Sequence, residues 1–232
     1  MDFFEKLNED VRFREGLNAC MNCGICTAIC PAAEFYDYDP RVLVTTVETK
    51  DNDEIGSLLK SDTIWYCGQC MSCKTRCPRG NVPGMIVGAL RKLSQETGYF
   101  VESRLGRQQY VIMKTIGKNI LEHGYCVYPT KVDPDMHPEQ GPVWEWMTEN
   151  SHEIYERLGF NYAKEGPGGL RKISEEVLGE LKSIFDETGG TDLMNAIESF
   201  SMKRAFENGY EQERLEEDKY FDALYHGNDT DE

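Results

Sequence analysis

The sequence predicts an all-α protein, and three observations carry that prediction. Apolar residues recur at helical spacing in one segment after another. Asp and Pro mark helix starts, and glycines mark stops. Two cysteine-rich runs begin 47 residues apart, at Cys20 and Cys67, with helical filling and no convincing strand between them. A compact β-hairpin arrangement would set such runs closer together and alternate strands between them.

Each element follows from local chemistry. Phe3, Phe4, Leu7 and Val11 give an N-terminal amphipathic helix leading into the first cysteine run. A short aromatic stretch, Phe35, Tyr36 and Tyr38, follows that run. Asp39 and Pro40 then open a helix as cap and first residue. Residues 42–47 have a strand-like composition, but the Asp-Pro start decides for helix. Residues 51–60 form a further short helix with Ile55, Leu58 and Leu59 inward. Pro83 begins a helix whose apolar face is Ile86, Leu90 and Leu93 and which ends near Gly98. Gly84 and Gly88, one turn apart on it, allow close backbone packing. Residues 104–123 form the next helix, stopped by Gly124. Pro129, Pro134, Pro138 and Pro142 then break regular structure. Beyond them, helices are expected over 143–158, 170–187 and 192–208, the last with scope to run on towards Leu224. Residues 227–232 are expected to be a disordered acidic tail.

Eight of the nine cysteines fall in two copies of one pattern. The first is Cys20, Cys23, Cys26 and Cys30, followed by Pro31. The second is Cys67, Cys70, Cys73 and Cys77, followed by Pro78. Each reads C-x2-C-x2-C-x3-C-P, the run that holds a pair of [4Fe–4S] clusters in two-cluster ferredoxins. Three cysteines at two-residue intervals let one tight loop wrap three corners of a cuboidal cluster. The fourth lies too far along to close the same cube, and in such ferredoxins it ligates the other cluster. One cluster is therefore expected on Cys20, Cys23, Cys26 and Cys77, and the other on Cys67, Cys70, Cys73 and Cys30. The prolines end the loops, and Gly24 and Gly68 lie where backbone must approach inorganic sulfide closely. Two other readings compete. Disulfides belong to oxidising compartments, and no secretory signal opens this chain. Zinc uses paired C-x2-C knuckles with longer gaps, and this run would give a tetrahedral ion a surplus ligand.

The charge pattern fits clusters as well. Residues 16–33 carry no charge, as expected for a desolvated shell that tunes an iron–sulfur potential. Between Cys67 and Lys92 the charges are Lys74, Arg76, Arg79, Arg91 and Lys92, with no acid. Arg76 and Arg79 flank Cys77 and are candidates for the cluster's surroundings. Arg91 and Lys92 read as a solvated helix face. The formal net charge of −16 argues against nucleic acid, which requires clustered Lys and Arg. No stretch approaches the roughly 18 apolar residues of a spanning helix. Nine cysteines without a signal sequence point to a reducing compartment, the cytoplasm. Residues 207–232 hold ten acids against Arg214 and Lys219, a solvated end.

Other candidates carry less. Cys126 stands alone and reads as a buried thiol. His123, His137, His152 and His226 show no metal spacing. Trp144 and Trp146 face different sides of a helix, one for the core and one for contact with another subunit. Gly166-Pro167-Gly168-Gly169 lacks the context of a phosphate loop and reads as a turn. No catalytic residue is assigned, and the chain shows no substrate-activating group.

The first run, Cys20-Met21-Asn22-Cys23-Gly24-Ile25-Cys26-Thr27-Ala28-Ile29-Cys30-Pro31, resembles the first motif of the heterodisulfide reductase C-subunit family. The second run resembles it more closely, through Cys67-Gly68-Gln69-Cys70 and Cys73-Lys74-Thr75-Arg76-Cys77-Pro78-Arg79-Gly80, with Arg91 on the helix beyond. The motif itself is shared with iron–sulfur subunits of succinate dehydrogenase, fumarate reductase and glycolate oxidase. The resemblance covers about residues 1–125. It implies an α-helical ferredoxin domain with two [4Fe–4S] clusters over 1–125; the Pro-rich linker at 126–142 and the helical extension at 143–226 follow from the prolines and the helical spacing and lie outside the resemblance. It also implies a non-catalytic wire between two partners, a flavin-containing A-type protein and a cysteine-rich, catalytic B-type protein. The extension suggests the heterodisulfide reductase-like complexes of sulfur oxidisers. An iron–sulfur subunit of a quinone-linked dehydrogenase is the alternative.

Overall fold

The structure, a computed structural model, describes residues 1–129, Pro134, 141–210 and 219–227. Among these residues every regular element is helical, as the sequence predicts. Contacts divide the chain into two units, residues 1–107 and 108–232.

The first unit holds both cysteine runs. Helix α1 (Phe3–Glu9) and helix α2 (Val11–Gly16) replace the single N-terminal helix expected. The reason is Asp10, whose side chain accepts from the Arg12 amide and starts a second helix where apolar spacing alone reads as continuous. One-turn helices α3 (Ile25–Ala28) and α4 (Ala32–Phe35) lie within and after the first run. Helix α5 (Pro40–Glu48) starts at the Asp39 cap, and helix α6 (Asn52–Lys60) at the Asp51 cap. Helix α7 (Pro83–Thr97) begins at Pro83 and ends on Gly98, whose φ of 77° lies in the left-handed region. These helices share one core of Leu7, Phe13, Tyr38, Leu43, Val47, Ile55, Leu59, Ile64, Ile86 and Leu90, among others. Burying each aliphatic side chain there contributes about 1.5–3 kcal/mol. Cys20, Cys30 and Cys67 pack against that same core, so both runs hang from one scaffold.

Helix α8 (Arg104–Ile112), a π-helical stretch Met113–Gly117 and helix α9 (Lys118–His123) form the expected run from Arg104 to the Gly124 stop. The division after Arg107 falls inside this run, earlier than the boundary after Tyr125 that the resemblance implies.

In the second unit, helix α10 (Pro142–Glu149) and helix α11 (Ser151–Arg157) stand where the sequence predicts one helix, with a break at Asn150. Helix α12 (Glu175–Thr188) starts at the Ser174 cap, not at Leu170. Helix α13 (Gly190–Glu207) stops at Asn208, followed by helix α14 (Lys219–Tyr225). Tyr110, Ile197, Ser201, Ala205, Tyr220 and Leu224 are buried here, with Tyr110 and Tyr220 in ring contact at 6.1 Å. Most of the expected linker and all of the tail beyond Gly227 lie outside the described residues. Cys126 is exposed, not the buried thiol expected. Trp146 is exposed, and Trp144 is half-buried.

Candidate functional site

The two cysteine loops are copies in geometry as well as in sequence. In the first, the Asn22 amide donates to Cys20 Sγ at 3.4 Å; in the second, the Gln69 amide donates to Cys67 Sγ at 3.4 Å. The residue two after the first cysteine has φ of 57° at Asn22 and 50° at Gln69. Two residues further on, φ is 76° at Gly24 and 60° at Met71. Repeated left-handed residues curl the backbone of each loop at matching positions. Glycine meets that demand without strain at Gly24, whereas Met71 adopts it against its own Cβ. Cys23 and Cys70, the second cysteine of each loop, are both exposed, and the other six are half-buried.

The ends of the loops are cross-stitched. Before the first loop and after the second, the Val82 amide donates to Gly16 O at 2.7 Å. The Asn18 amide donates to Asn81 Oδ1 at 2.7 Å, and Asn18 Nδ2 to Gly80 O at 3.3 Å. Arg79 Nε donates to Ala19 O at 3.2 Å. This seam sets the start of one run beside the end of the other. Cys20, Cys23, Cys26 and Cys77 line one cavity, together with Arg41, Arg79, Asn81 and Pro83. The opposite seam is aromatic. Tyr36, after the first loop, stacks on Tyr66, just before the second, at 4.5 Å, and Tyr38 meets the same ring edge-on at 6.4 Å. The Tyr38 hydroxyl lies within electrostatic reach of Cys67, Cys30 and Cys73.

The charges around the two sites come from elsewhere in the chain, and the sequence misplaces several. The uncharged stretch 16–33 is not an uncharged shell. Glu48 accepts from the Cys20 amide at 2.7 Å, and Asp39, bonded to Thr27, adds negative charge near Cys26. Arg41 pairs with Asp39 at 2.9 Å and reaches the first cavity. Arg91 is not on a solvated face. Its guanidinium donates to the carbonyls of Ile64 (2.7 Å), Trp65 (3.0 Å) and Cys67 (2.6 Å) and stacks over the Trp65 ring at 5.3 Å. Burial pushes its pKa down, offset by Cys67 and Tyr38. Lys92, by contrast, is exposed and paired with Glu96, as expected. Arg76 and Arg79 are both exposed, and Arg79 also lines the first cavity. Helix α7 aims its N-terminus at both sites, Pro83 at the first cavity and the Gly84 amide at Cys73. That end carries partial positive charge and favours an anion.

The donor set fits cuboidal clusters. Among the described residues, no three Cys, His, Asp or Glu side chains converge closely enough for one metal ion; Cys20, Cys23, Cys26 and Cys77 instead line one cavity. Burial pushes the Cys26 and Cys73 thiols up, whereas hydrogen bonds from Ser72 pull Cys70 down. Iron must therefore displace protons as it binds, which couples cluster assembly to pH. Besides Arg41 Nε, two polar atoms at the sites are buried without a partner: Asn81 Nδ2 at the first and Tyr38 Oη at the second. Neither was assigned from sequence. Tyr38 belongs to the aromatic stretch noted there, and Asn81 stands two residues before the Pro83 helix start.

A family profile described as a 4Fe-4S dicluster domain matches residues 16–81, the span that the Gly16–Val82 seam encloses. The chain is 34% identical over 174 residues to the C subunit of the ferredoxin:CoB-CoM heterodisulfide reductase of Methanosarcina acetivorans, covering 75% of this chain and 63% of that one. It is 34% identical over 117 residues to the iron-sulfur C subunit of the CoB–CoM heterodisulfide reductase of Methanopyrus kandleri, covering 48% and 59%. It is 28% identical over 134 residues to the C subunit of the H(2):CoB-CoM heterodisulfide,ferredoxin reductase of Methanothermobacter marburgensis, covering 54% and 66%. The matches thus span under two thirds of each relative's own length. A match of 174 residues runs past residue 125, so the likeness is not confined to residues 1–125. The chain carries two [4Fe–4S] clusters in a dicluster domain, and the three relatives described above are C subunits of heterodisulfide reductases.

Proposed function

We propose that this chain is the wire of a heterodisulfide reductase-like complex, relaying electrons between a flavin-containing subunit and a cysteine-rich subunit that carries out the disulfide chemistry. Within it, one cluster sits on Cys20, Cys23, Cys26 and Cys77, and the other on Cys67, Cys70, Cys73 and Cys30. The observation that carries this reading is the seam joining residues 16–19 to 79–82, which brings Cys77 to the cavity of the first loop. Crossed ligation places both clusters on one core, close enough for an electron to pass. The exposed Cys23 and Cys70 leave one edge of each cluster near solvent, as an entry and an exit require. The chain's part is to bind, space and electrostatically tune the clusters; the clusters supply the one-electron chemistry when bound. No helix among the described residues is long and apolar enough to cross a membrane.

The test is anaerobic affinity purification of the chain from its native host, with mass spectrometry of what accompanies it. A flavoprotein and a cysteine-rich partner support the reading. A membrane cytochrome or a dicarboxylate dehydrogenase in their place would move the chain to quinone-linked respiration and overturn it.

A further inference from the structure

We propose that the Tyr38 hydroxyl donates a hydrogen bond to the cluster held by the second loop, and so selectively favours the reduced state of that cluster. Tyr38 is 3% exposed, and its hydroxyl is buried without a partner that meets hydrogen-bonding geometry. An orphaned buried donor costs about 1–3 kcal/mol, so one persists where an acceptor completes it. The groups it faces are the sulfurs of Cys67, Cys30 and Cys73, three of the four thiols assigned to one cluster and drawn from both runs. Cys30 and Cys67 pack against the same hydrophobic core that holds the Tyr38 ring. The ring has no freedom to turn away, because it packs in the core and meets Tyr66 edge-on at 6.4 Å.

A cluster on four thiolates gains one negative charge when one electron enters. A donor aimed at its sulfur binds the reduced form more strongly than the oxidised form. No bond forms or breaks in this step, and the proton stays on the tyrosine oxygen. Tyr38 acts on the cluster directly, as a hydrogen-bond donor, and transfers neither proton nor electron. The first cavity lacks this hydroxyl, so the effect separates the two clusters. The inference rests on the two-cluster reading.

The test is Tyr38→Phe in the full chain, with clusters reconstituted anaerobically and potentials read by EPR-monitored redox titration. Tyr38→Phe is expected to keep its iron and to lower the reduction equilibrium constant of one cluster roughly tenfold, about 59 mV for one electron, with the other cluster unmoved. Full loading with no shift in either cluster overturns the proposal and leaves the two-cluster reading standing. An iron content of about four instead of about eight per chain in every preparation, wild type included, removes the reading and the proposal together. Should Tyr38→Phe fail to fold, 3-fluorotyrosine placed at position 38 preserves the packing and strengthens the donor. The potential of the same cluster should then rise, and an unmoved potential contradicts the proposal.

Discussion

The first and second cysteine loops share spacing, backbone turns and an internal amide-to-sulfur hydrogen bond, yet they sit in different fields. Around the first, the nearest charges are Glu48 at the Cys20 amide, the Asp39–Arg41 pair and Arg79. Around the second, Arg91 grips three carbonyls, and a buried tyrosine faces the sulfurs. The packing differs too. The Gly24 position of the first loop is open, with no atom within 4 Å of where a Cβ would stand. Its counterpart in the second loop, Met71, lies against Gly84 of α7, where an added Cβ would meet Met71 Sδ at 2.9 Å. The motif therefore dictates the shape of each loop, and distant residues dictate its electrostatics. Two clusters with one ligand pattern are thereby expected to have distinct potentials.

The comparison can be broken at several points. The largest effect is expected from ligand loss. Cys20→Ser and Cys67→Ser should each lower iron from about eight to about four per chain, measured by iron and sulfide analysis. Arg91→Leu comes next. It strips three carbonyls of a charged donor, at about 3 kcal/mol in all, and should lower Tm and release iron from the second site first. A variant that loses both clusters in parallel would show that Arg91 supports the unit as a whole.

Glycine substitutions sharpen the contrast. Gly84→Val should cost about 1–3 kcal/mol by pressing on Met71, with the second cluster the more sensitive. Gly24→Ala meets no protein atom within 4 Å, so the fold itself should lose only the left-handed penalty, about 1 kcal/mol. Denaturant midpoints and oxygen lability of the clusters would separate the two. The smallest effect is expected from Glu48→Gln. It keeps an acceptor for the Cys20 amide while removing a charge, so the first cluster's potential should rise and the second should stay. A shift in the second cluster instead would reverse the assignment of fields.

The sequence made the ligands and most helices of the first unit legible because their signals are local. Asp39-Pro40, Asp51 and Pro83 through Gly98 are caps and stops that act within one turn. The break at Asp10 was not legible, because a side-chain cap interrupts an apolar spacing that continues across it. Arg91 was misread for a different reason. Its partners, Ile64, Trp65 and Cys67, lie 24 to 27 residues away, and helical periodicity carries no information about them. Glu48, Asn81 and Tyr38 are hidden in the same way, since each becomes part of a site only through the seams that fold the two runs together. The open stretch 16–33 shows the converse, where an absence of charge in sequence does not survive as an absence in space.

The crossing of the fourth cysteines is the central claim, and EPR-monitored redox titration of Cys30→Ser tests it most directly. Crossed ligation requires the altered signal to be the one changed by Cys70→Ser, with the cluster of Cys23 intact. A Cys30→Ser spectrum that matches Cys23→Ser and leaves the Cys70 cluster untouched would contradict the account.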